Sequence, residues 1–316
     1  MIKTDLCDLL GIEYPIIQGG MAWVADSSLA GAVSSAGGLG LIAAMNSTPE
    51  WLRAEIRKTR ELTDKPFGVN IMLMSPYADE VAKVVAEEKV KVVTTGAGNP
   101  SKYISYWNDA GIKVIPVTAA CGHAKKVVQS GAVAVIAEGG ESGGHIGNMN
   151  TMALVPQVVD AVDVPVIAAG GIADGRGVAA ALMLGACGVQ MGTRFLAAEE
   201  CTIHSEYKEK IVKAKDIDTI VTGRRLGHPV RSLKTPFSKN YAKYEEDLTV
   251  SLEELEKMGG GALRLAAREG DLKNGCFMAG QCAGLVKKIQ PVREIILELM
   301  EDAQKVMQQC MTNIIK

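Results

Sequence analysis

Residues 164–195 read VPVIAAGGIADGRGVAAALMLGACGVQMGTRF, and this stretch decides the fold class. Two short apolar runs, Val164–Ala168 and Gly188–Gln190, are each followed by a turn that contains glycine, and a longer alanine-rich stretch separates them. Short apolar runs bounded by turn residues are typical of strands that are buried on both faces, as in parallel sheets. The stretch therefore predicts a β-α-β unit.

The same alternation continues back to the N-terminus. We predict six further strands at Pro15–Gln18, Gly40–Ala43, Gly68–Asn70, Val90–Thr94, Lys113–Val117 and Val133–Ala137. Helix starts that contain proline predict helices at Glu50–Arg60, Tyr77–Glu88 and Ser101–Ala110. Eight βα units indicate an α/β protein built as a TIM (β/α)8 barrel. An open doubly wound sheet is the alternative, but no GxGxxG motif follows the first strand.

The pattern changes after Phe195. Residues 199–277 are rich in charged side chains and lack the alternation, which predicts a smaller lid domain inserted into the barrel. Residues 278–316 return to the apolar periodicity of a helix that packs back on the barrel. We therefore divide the chain into a barrel of residues 1–198, an inserted lid of residues 199–277 and a C-terminal helical return of residues 278–316.

Composition excludes several classes of function. The 316 residues include 34 Lys+Arg and 36 Asp+Glu, a net charge of −2, so no overall basic field favours a nucleic acid or an anionic membrane. The 7 cysteines form no CxxC pair, which predicts a reduced, cytoplasmic protein without a zinc site. Asp5, Asp8 and Glu13 occupy the region where a signal peptide requires an apolar run, and no apolar stretch is long enough to span a bilayer.

The residues just after the strands lie at the catalytic face of such a barrel. No lysine follows a predicted strand, which argues against a Schiff-base aldolase, and no carboxylate or histidine cluster predicts a divalent metal site. Gly170-Gly171 and Gly192-Thr193 follow the last two strands, where such barrels bind phosphate through backbone N–H groups. Tight turns also need glycine for conformational reasons, but the two positions together predict a ligand that carries phosphate.

Residues 138–147, EGGESGGHIG, form the most unusual segment. A loop so rich in glycine is costly to order in the absence of a ligand, and it carries one histidine at the catalytic face. A lone histidine is more commonly structural, but this position favours a functional role for His145. We interpret His123, His204 and His228 as structural residues.

Six motifs together resemble a known family. They are PIIQGGMAW (Pro15–Trp23), AGGLG (Ala36–Gly40), GVNIML (Gly68–Leu73), EGGESGGHIG (Glu138–Gly147), the segment Ala168–Phe195 and MAGQCAGLV (Met278–Val286). This combination closely resembles the FMN-dependent enoyl-acyl-carrier-protein reductase II of bacterial fatty-acid synthesis and, more loosely, the nitronate monooxygenases. The resemblance covers nearly the whole chain and implies a TIM barrel with an inserted lid, with FMN across the strand ends.

The resemblance also implies roles for individual residues. The FMN site would consist of Gly20, Met21, Asn70, Thr94, Glu138, Gly171, Gly192 and Thr193, the last three around the phosphate. The catalytic residue would be His145, beside the flavin. The turn 194–201 is a site for a monovalent cation by analogy only.

The implied reaction uses NADH or NADPH to reduce the flavin. The reduced flavin then transfers hydride to the β-carbon of a trans-2-enoyl thioester carried on acyl carrier protein, and the enzyme would be a homodimer. Within the superfamily, the alternative is a nitronate monooxygenase, which uses the same FMN and His145 with dioxygen. A phosphate-binding barrel without flavin and a flavin-binding protein without turnover are further alternatives.

The lid contains a basic segment, residues 219–244, which has six cationic side chains and no Asp or Glu. These are Arg224, Arg225, Arg231, Lys234, Lys239 and Lys243. The segment predicts either a solvated surface or a receptor for anionic groups, such as nucleotide phosphates or an acidic carrier protein.

Overall fold

A computed structural model describes residues 2–45 and 47–314, the side chains of residues 313 and 314 excepted. The outer limits of the predicted barrel and C-terminal segments, residues 1 and 316, lie outside the described residues. The strands are β1 (Ile16–Gln18), β2 (Gly40–Ala43), β3 (Phe67–Met72), β4 (Val92–Gly96), β5 (Lys113–Thr118), β6 (Val135–Glu138), β7 (Gly144–His145), β8 (Val166–Ala169), β9 (Gly188–Met191), β10 (Thr219–Thr222) and β11 (Val230–Leu233).

Eight parallel strands confirm the predicted barrel. Their order is β1-β9-β8-β6-β5-β4-β3-β2. The remaining seam closes just before β2, where the Gln18 N–H donates to the Leu39 carbonyl at 3.0 Å and the Leu39 N–H donates to the Ile16 carbonyl at 2.9 Å. All eight carboxyl ends therefore meet at one rim.

Helices alternate with the strands as predicted. They are α1 (Asp5–Leu10), α2 (Ser27–Ser35), α3 (Pro49–Leu62), α4 (Ala78–Glu87), α5 (Ser101–Asp109), α6 (Cys121–Gln129), α7 (Thr151–Val159), α8 (Gly175–Met183), α9 (Thr193–Leu196), α10 (Ser205–Val212), α11 (Pro236–Glu246), α12 (Leu252–Gly259), α13 (Ala262–Arg264) and α14 (Val292–Ile314). Local capping explains their starts: the Thr48 hydroxyl accepts from the Trp51 N–H before α3, and the Asp174 carboxylate accepts from two N–H groups at the start of α8.

The barrel interior is a packed core. It is filled by branched side chains from the strands, among them Ile17, Leu41 and Ile167, which are fully buried. Leu6 and Leu10 of α1 belong to the same cluster and close the end of the barrel at the start of the strands. The opposite rim is therefore the end available for chemistry.

A small antiparallel sheet covers that rim. Its strand order is β10-β11-β7, so two strands come from the lid and one comes from the glycine loop 138–147. The sequence indicated only that the barrel alternation stops in the lid, and it predicted a loop at Gly144–His145. That loop prediction is wrong for these two residues, because β11 supplies the backbone partners that make them a strand.

The long helix α14 packs on α8 and α2 at the outside of the barrel. Its first N–H, that of Val292, donates to the Glu200 carboxylate at 2.9 Å. Close approach to α8 depends on Gly175, where a Cβ would lie 2.5 Å from the Ala303 backbone nitrogen. Among the described helices, none is both long and apolar enough to cross a bilayer. The exact division into barrel, lid and C-terminal segment stays a prediction.

Candidate active site

A cavity of about 460 Å³ lies at the carboxyl ends of the strands, beneath the lid. This volume is within the usual range for small-molecule and cofactor sites, about 300–1,000 Å³. Eight of the nine predicted site residues line it: Gly20, Met21, Asn70, Glu138, His145, Gly171, Gly192 and Thr193. Apolar side chains of Leu263 and Met278 form part of the wall on the lid side.

Thr94 is the predicted site residue that the structure places elsewhere. Its side chain is fully buried, and its hydroxyl accepts a hydrogen bond of 2.9 Å from the Asn70 amide nitrogen. Because this bond uses an amide N–H, the Asn70 amide oxygen stays available to accept another hydrogen bond. Thr94 therefore orients Asn70 from below the cavity rather than lining it.

Gly20 and Asn70 pack directly against each other. A Cβ at Gly20 would lie 2.2 Å from the Asn70 Cβ, so any side chain at this position would displace Asn70. Glycine at position 20 thus brings bare backbone to the cavity beside the Asn70 amide.

The turns after β8 and β9 expose backbone donors. Gly171 has a φ of +74°, which a residue with a side chain adopts only with strain. Among the described residues, no backbone carbonyl accepts from the N–H groups of Gly171, Gly192 or Thr193. The Thr193 hydroxyl accepts from the Gly280 N–H at 2.9 Å, which leaves its own proton free to donate. These groups form an uncharged donor set suited to an anion.

His145 stands on β7, paired with Val230 of β11, and its side chain is open to the cavity. Burial by the surrounding protein lowers the pKa of the imidazole, and repulsion from His228 lowers it further. The two imidazole rings meet edge to face, with centroids 6.4 Å apart. His145 is therefore neutral at neutral pH, with one ring N–H to donate and one nitrogen to accept.

Two further residues line the cavity that the sequence did not indicate. His123, interpreted as structural, lines the cavity from the first turn of α6, and burial lowers the pKa of its imidazole. Gln190 also lines it, and among the described residues its side-chain oxygen has no hydrogen-bond partner. Gln190 lies near the end of β9 and His123 lies in the helix that follows β5, so proximity to a strand end is the signal that could have found them.

The predicted cation turn already holds a positive charge. The Lys208 ammonium donates to the carbonyl oxygens of Ala198 at 2.8 Å and Glu199 at 3.2 Å. These two oxygens therefore already have a cationic partner from the chain itself, and a monovalent cation elsewhere in the turn stays a prediction. In the described part of the chain, no group of three or more His, Cys, Asp or Glu side chains is placed to hold a metal.

The basic segment divides into two kinds of residue. The Arg225 guanidinium donates to the backbone carbonyls of Glu245, Asp247 and Val250, so its N–H groups bind the lid itself and not an anionic ligand. Lys239 and Lys243, in contrast, are exposed on α11.

Comparison with known proteins decides the family, since the family model for nitronate monooxygenase matches residues 3–302. The chain belongs to the nitronate monooxygenase family. This confirms the resemblance seen in the sequence motifs and makes the protein a flavin oxidoreductase.

Individual members of the nitronate monooxygenase family differ in their assigned reactions. A solved structure of FabK from Thermotoga maritima is 53% identical, with a TM-score of 0.95 over 98% of each chain. A (3aS,4S,5R,7aS)-5-hydroxy-7a-methyl-1-oxo-octahydro-1H-indene-4-carboxyl-CoA dehydrogenase of Rhodococcus jostii (strain RHA1) is 36% identical over 96% of each chain. A probable nitronate monooxygenase of Staphylococcus aureus (strain JH9) is 32% identical over 97% of this chain and 99% of its own.

Among the described residues that line the cavity, Glu138 is the one with an acidic side chain. Burial raises its pKa to about 7, from an ordinary value of 4.5. Near neutral pH a large share of these carboxyl groups is protonated, and a protonated carboxyl can donate a hydrogen bond as well as accept one.

This raised pKa predicts a pH-dependent stability of the ligand-free protein. Between about pH 4.5 and 7 the folded state binds more protons at Glu138 than the unfolded state, so the contribution of this residue to the free energy of unfolding falls as pH rises. Glu138→Gln should therefore melt at a higher temperature than the parent apoprotein at pH 8 and at a similar temperature at pH 5. Calorimetry of both proteins, with exposed Glu253→Gln as the control, measures this; parallel profiles for Glu138→Gln and the parent would contradict it.

Proposed function

We propose that the protein is an FMN-dependent NAD(P)H enoyl-acyl-carrier-protein reductase. The observation that carries the proposal is the 53% identity to FabK, an FMN enoyl-acyl-carrier-protein reductase II, over 98% of both chains. Acyl carrier protein as partner, a homodimeric state and a cytoplasmic location are parts of the same proposal.

The cavity residues fit FMN. The N–H groups of Gly171, Gly192 and Thr193 suit its phosphate, and the unpaired oxygen of Gln190 and the amide of Asn70 suit its polar ring edge. Among the described residues that line the cavity, none is a lysine or an arginine, so recognition of the phosphate would depend on backbone donors. When bound, FMN supplies a carrier that accepts hydride from NADH or NADPH and delivers it to carbon.

The protein's own groups would polarise the substrate and exclude water. A thioester carbonyl placed against His145 would accept a hydrogen bond from the neutral imidazole, where enolate charge develops. Alternatively, the same imidazole would supply the proton that reaches the α-carbon. Leu263 and Met278 cover the cavity with apolar surface from the lid side.

Nitronate monooxygenase activity is the second candidate, favoured by the family model and the Staphylococcus aureus relative. The two candidates differ in their need for pyridine nucleotide and dioxygen. Under anaerobic conditions, a reductase is bleached by NADH or NADPH and regains its flavin absorbance on addition of crotonyl thioester. A protein that is not bleached, but turns over nitronates in air, would reverse the assignment.

The phosphate assignment predicts that the protein purifies with bound FMN and that Gly171→Asp is colourless. The aspartate adds a side chain where φ is +74° and places a negative charge beside the phosphate. Flavin absorbance per mole of folded protein is the measurement, with Gly111→Asp, at a φ of +75° in the open turn after α5, as the control for backbone strain. Stoichiometric FMN in Gly171→Asp would refute the phosphate site, and a parent protein without flavin absorbance would refute the flavin.

The role of His145 predicts a selective loss of enoyl reduction. His145→Ala should keep its flavin and its reduction by NAD(P)H, but slow reoxidation by enoyl thioester by roughly 10²-fold, the scale for loss of a general acid or an oxyanion donor. Stopped-flow absorbance follows each half-reaction separately. Unchanged reoxidation would return His145 to a structural role.

The exposed lysines of α11 predict a contact with acidic carrier protein. Lys239→Glu with Lys243→Glu should weaken the use of carrier-protein substrates more than that of coenzyme A thioesters, and the difference should shrink in high salt because exposed charges are screened over about 10 Å at 0.1 M. The control is Lys65→Glu with Lys91→Glu, the same charge change at the opposite end of the barrel, before β3 and β4. Steady-state kinetics with both substrate forms decide: equal losses for the two forms would leave α11 as ordinary surface.

A further inference from the structure

We propose that Arg231 is a positioning residue, which holds His145 over the cavity by tying the glycine loop 138–147 to the lid. The inference rests on the proposed function, because that function makes His145 the reactive group. On this proposal, Arg231 of the basic segment makes contacts within the protein and does not bind an anionic ligand.

The glycine loop is held in two halves by two different partners. Its first half belongs to the barrel: the Gly139 N–H donates to the Ala169 carbonyl at 2.9 Å, and the Glu141 carboxylate accepts from the N–H and hydroxyl of Thr151 at 2.9 and 2.8 Å. A Cβ at Gly139 would lie 2.1 Å from the Thr151 hydroxyl, so this half fits tightly against α7.

The second half belongs to the lid. Gly144 and His145 pair with Arg231 and Val230 of β11, and the Ile146 N–H donates to the Pro229 carbonyl at 3.0 Å. Gly144, with a φ of +78°, is the point where the chain turns into this pairing. The position of the His145 backbone is therefore set by the lid strand.

Arg231 joins the two halves. Its backbone pairs with Gly144, while its guanidinium reaches back to the Gly140 carbonyl, which accepts from Nε at 3.2 Å and from Nη2 at 2.9 Å. The third nitrogen, Nη1, donates to the Thr219 hydroxyl of β10 at 3.2 Å. One residue thus brackets Gly140–Gly144 and connects it to both lid strands, at the segment that leads directly into His145.

The chemistry of this contact requires arginine. The planar fork presents two N–H groups to one carbonyl and a third to a neighbouring hydroxyl, which an ammonium group cannot reproduce with the same geometry. The side chain is partly buried, and burial lowers its pKa, with nearby Glu141 acting in the opposite direction. The partly buried guanidinium of Arg231 therefore directs its hydrogen bonds to the Gly140 carbonyl of the loop and the Thr219 hydroxyl of the lid.

The test compares Arg231→Ala and Arg231→Lys with Arg268→Ala, an exposed arginine elsewhere on the lid. In Arg231→Ala, we expect normal FMN content, reduction by NAD(P)H within twofold of the parent and reoxidation by enoyl thioester slowed about 10-fold, because displacement of a reactive group disturbs only the step it serves. Arg231→Lys should recover part of the loss, and Arg268→Ala should match the parent.

A histidine titration by NMR gives a readout that needs no substrate. The His145 signal, assigned by its disappearance in His145→Ala, should titrate at a higher pH in Arg231→Ala than in the parent, because a released loop is more solvated. Arg231→Lys, which keeps the positive charge, should shift it in the same direction by a smaller amount, and this separates release of the loop from the loss of a cation. An unchanged His145 titration would overturn the inference. If the parent fails to reduce enoyl thioesters, the proposed function fails, while this titration still decides the role of Arg231.

A double mutant distinguishes the positioning of His145 from a direct contact between Arg231 and a ligand. With His145 already replaced by Ala, Arg231→Ala should slow reoxidation no further, since the residue that it positions is gone. An additional loss, or an increased KM for NAD(P)H with slower flavin reduction, would overturn the proposal in favour of direct ligand contact. If Arg231→Ala does not fold, the same comparison is made with Arg231→Lys.

Discussion

Closure of the barrel at Leu39 is the constraint on which the other features depend. The two hydrogen bonds between this residue and β1 join the first and last strands of the sheet order, and they fix all eight carboxyl ends at one rim. Side chains of the strands and of α1 fill the rest of the interior. The cavity consequently lies between the rim and the lid, and residues far apart in sequence meet there because their strands end there.

The side chains that line the cavity carry little net charge near neutral pH. Burial raises the pKa of the Glu138 carboxyl group and lowers the pKa of the His145 imidazole. Both shifts favour the uncharged form near neutral pH. The end of the cavity that we propose for the phosphate presents backbone N–H groups, and no lysine or arginine is among the described residues that line the cavity. Side chains of this kind bind and polarise, and the redox chemistry of a flavin oxidoreductase is supplied by its cofactor.

Local signals in the sequence were sufficient for the barrel and for most of the cavity. Turns such as Gly170-Gly171 directly follow apolar runs, so their place at the rim can be predicted without knowledge of the fold. Thr94 was predicted to contact the cofactor, whereas its hydroxyl accepts a hydrogen bond from Asn70 below the cavity. The alternation of residues along a strand does not show which side chain will be its partner. The sequence near Gly144 and His145 could not predict a strand there. These residues form β7 only because β11, from a distant part of the chain, pairs with them. The contacts of Arg231 and the proximity of His228 depend on that same pairing and were missed with it.

The Lys208 ammonium supplies a fixed positive charge to the turn after α9. It donates to the carbonyl oxygens of Ala198 and Glu199, just after the short helix α9, which follows the turn proposed to bind phosphate. A dissolved ion exchanges with solvent, whereas a charge on the chain is present at one copy per molecule whatever the composition of the medium. The turn that follows α9 is thereby held by a charge of the chain itself and not by a dissolved ion.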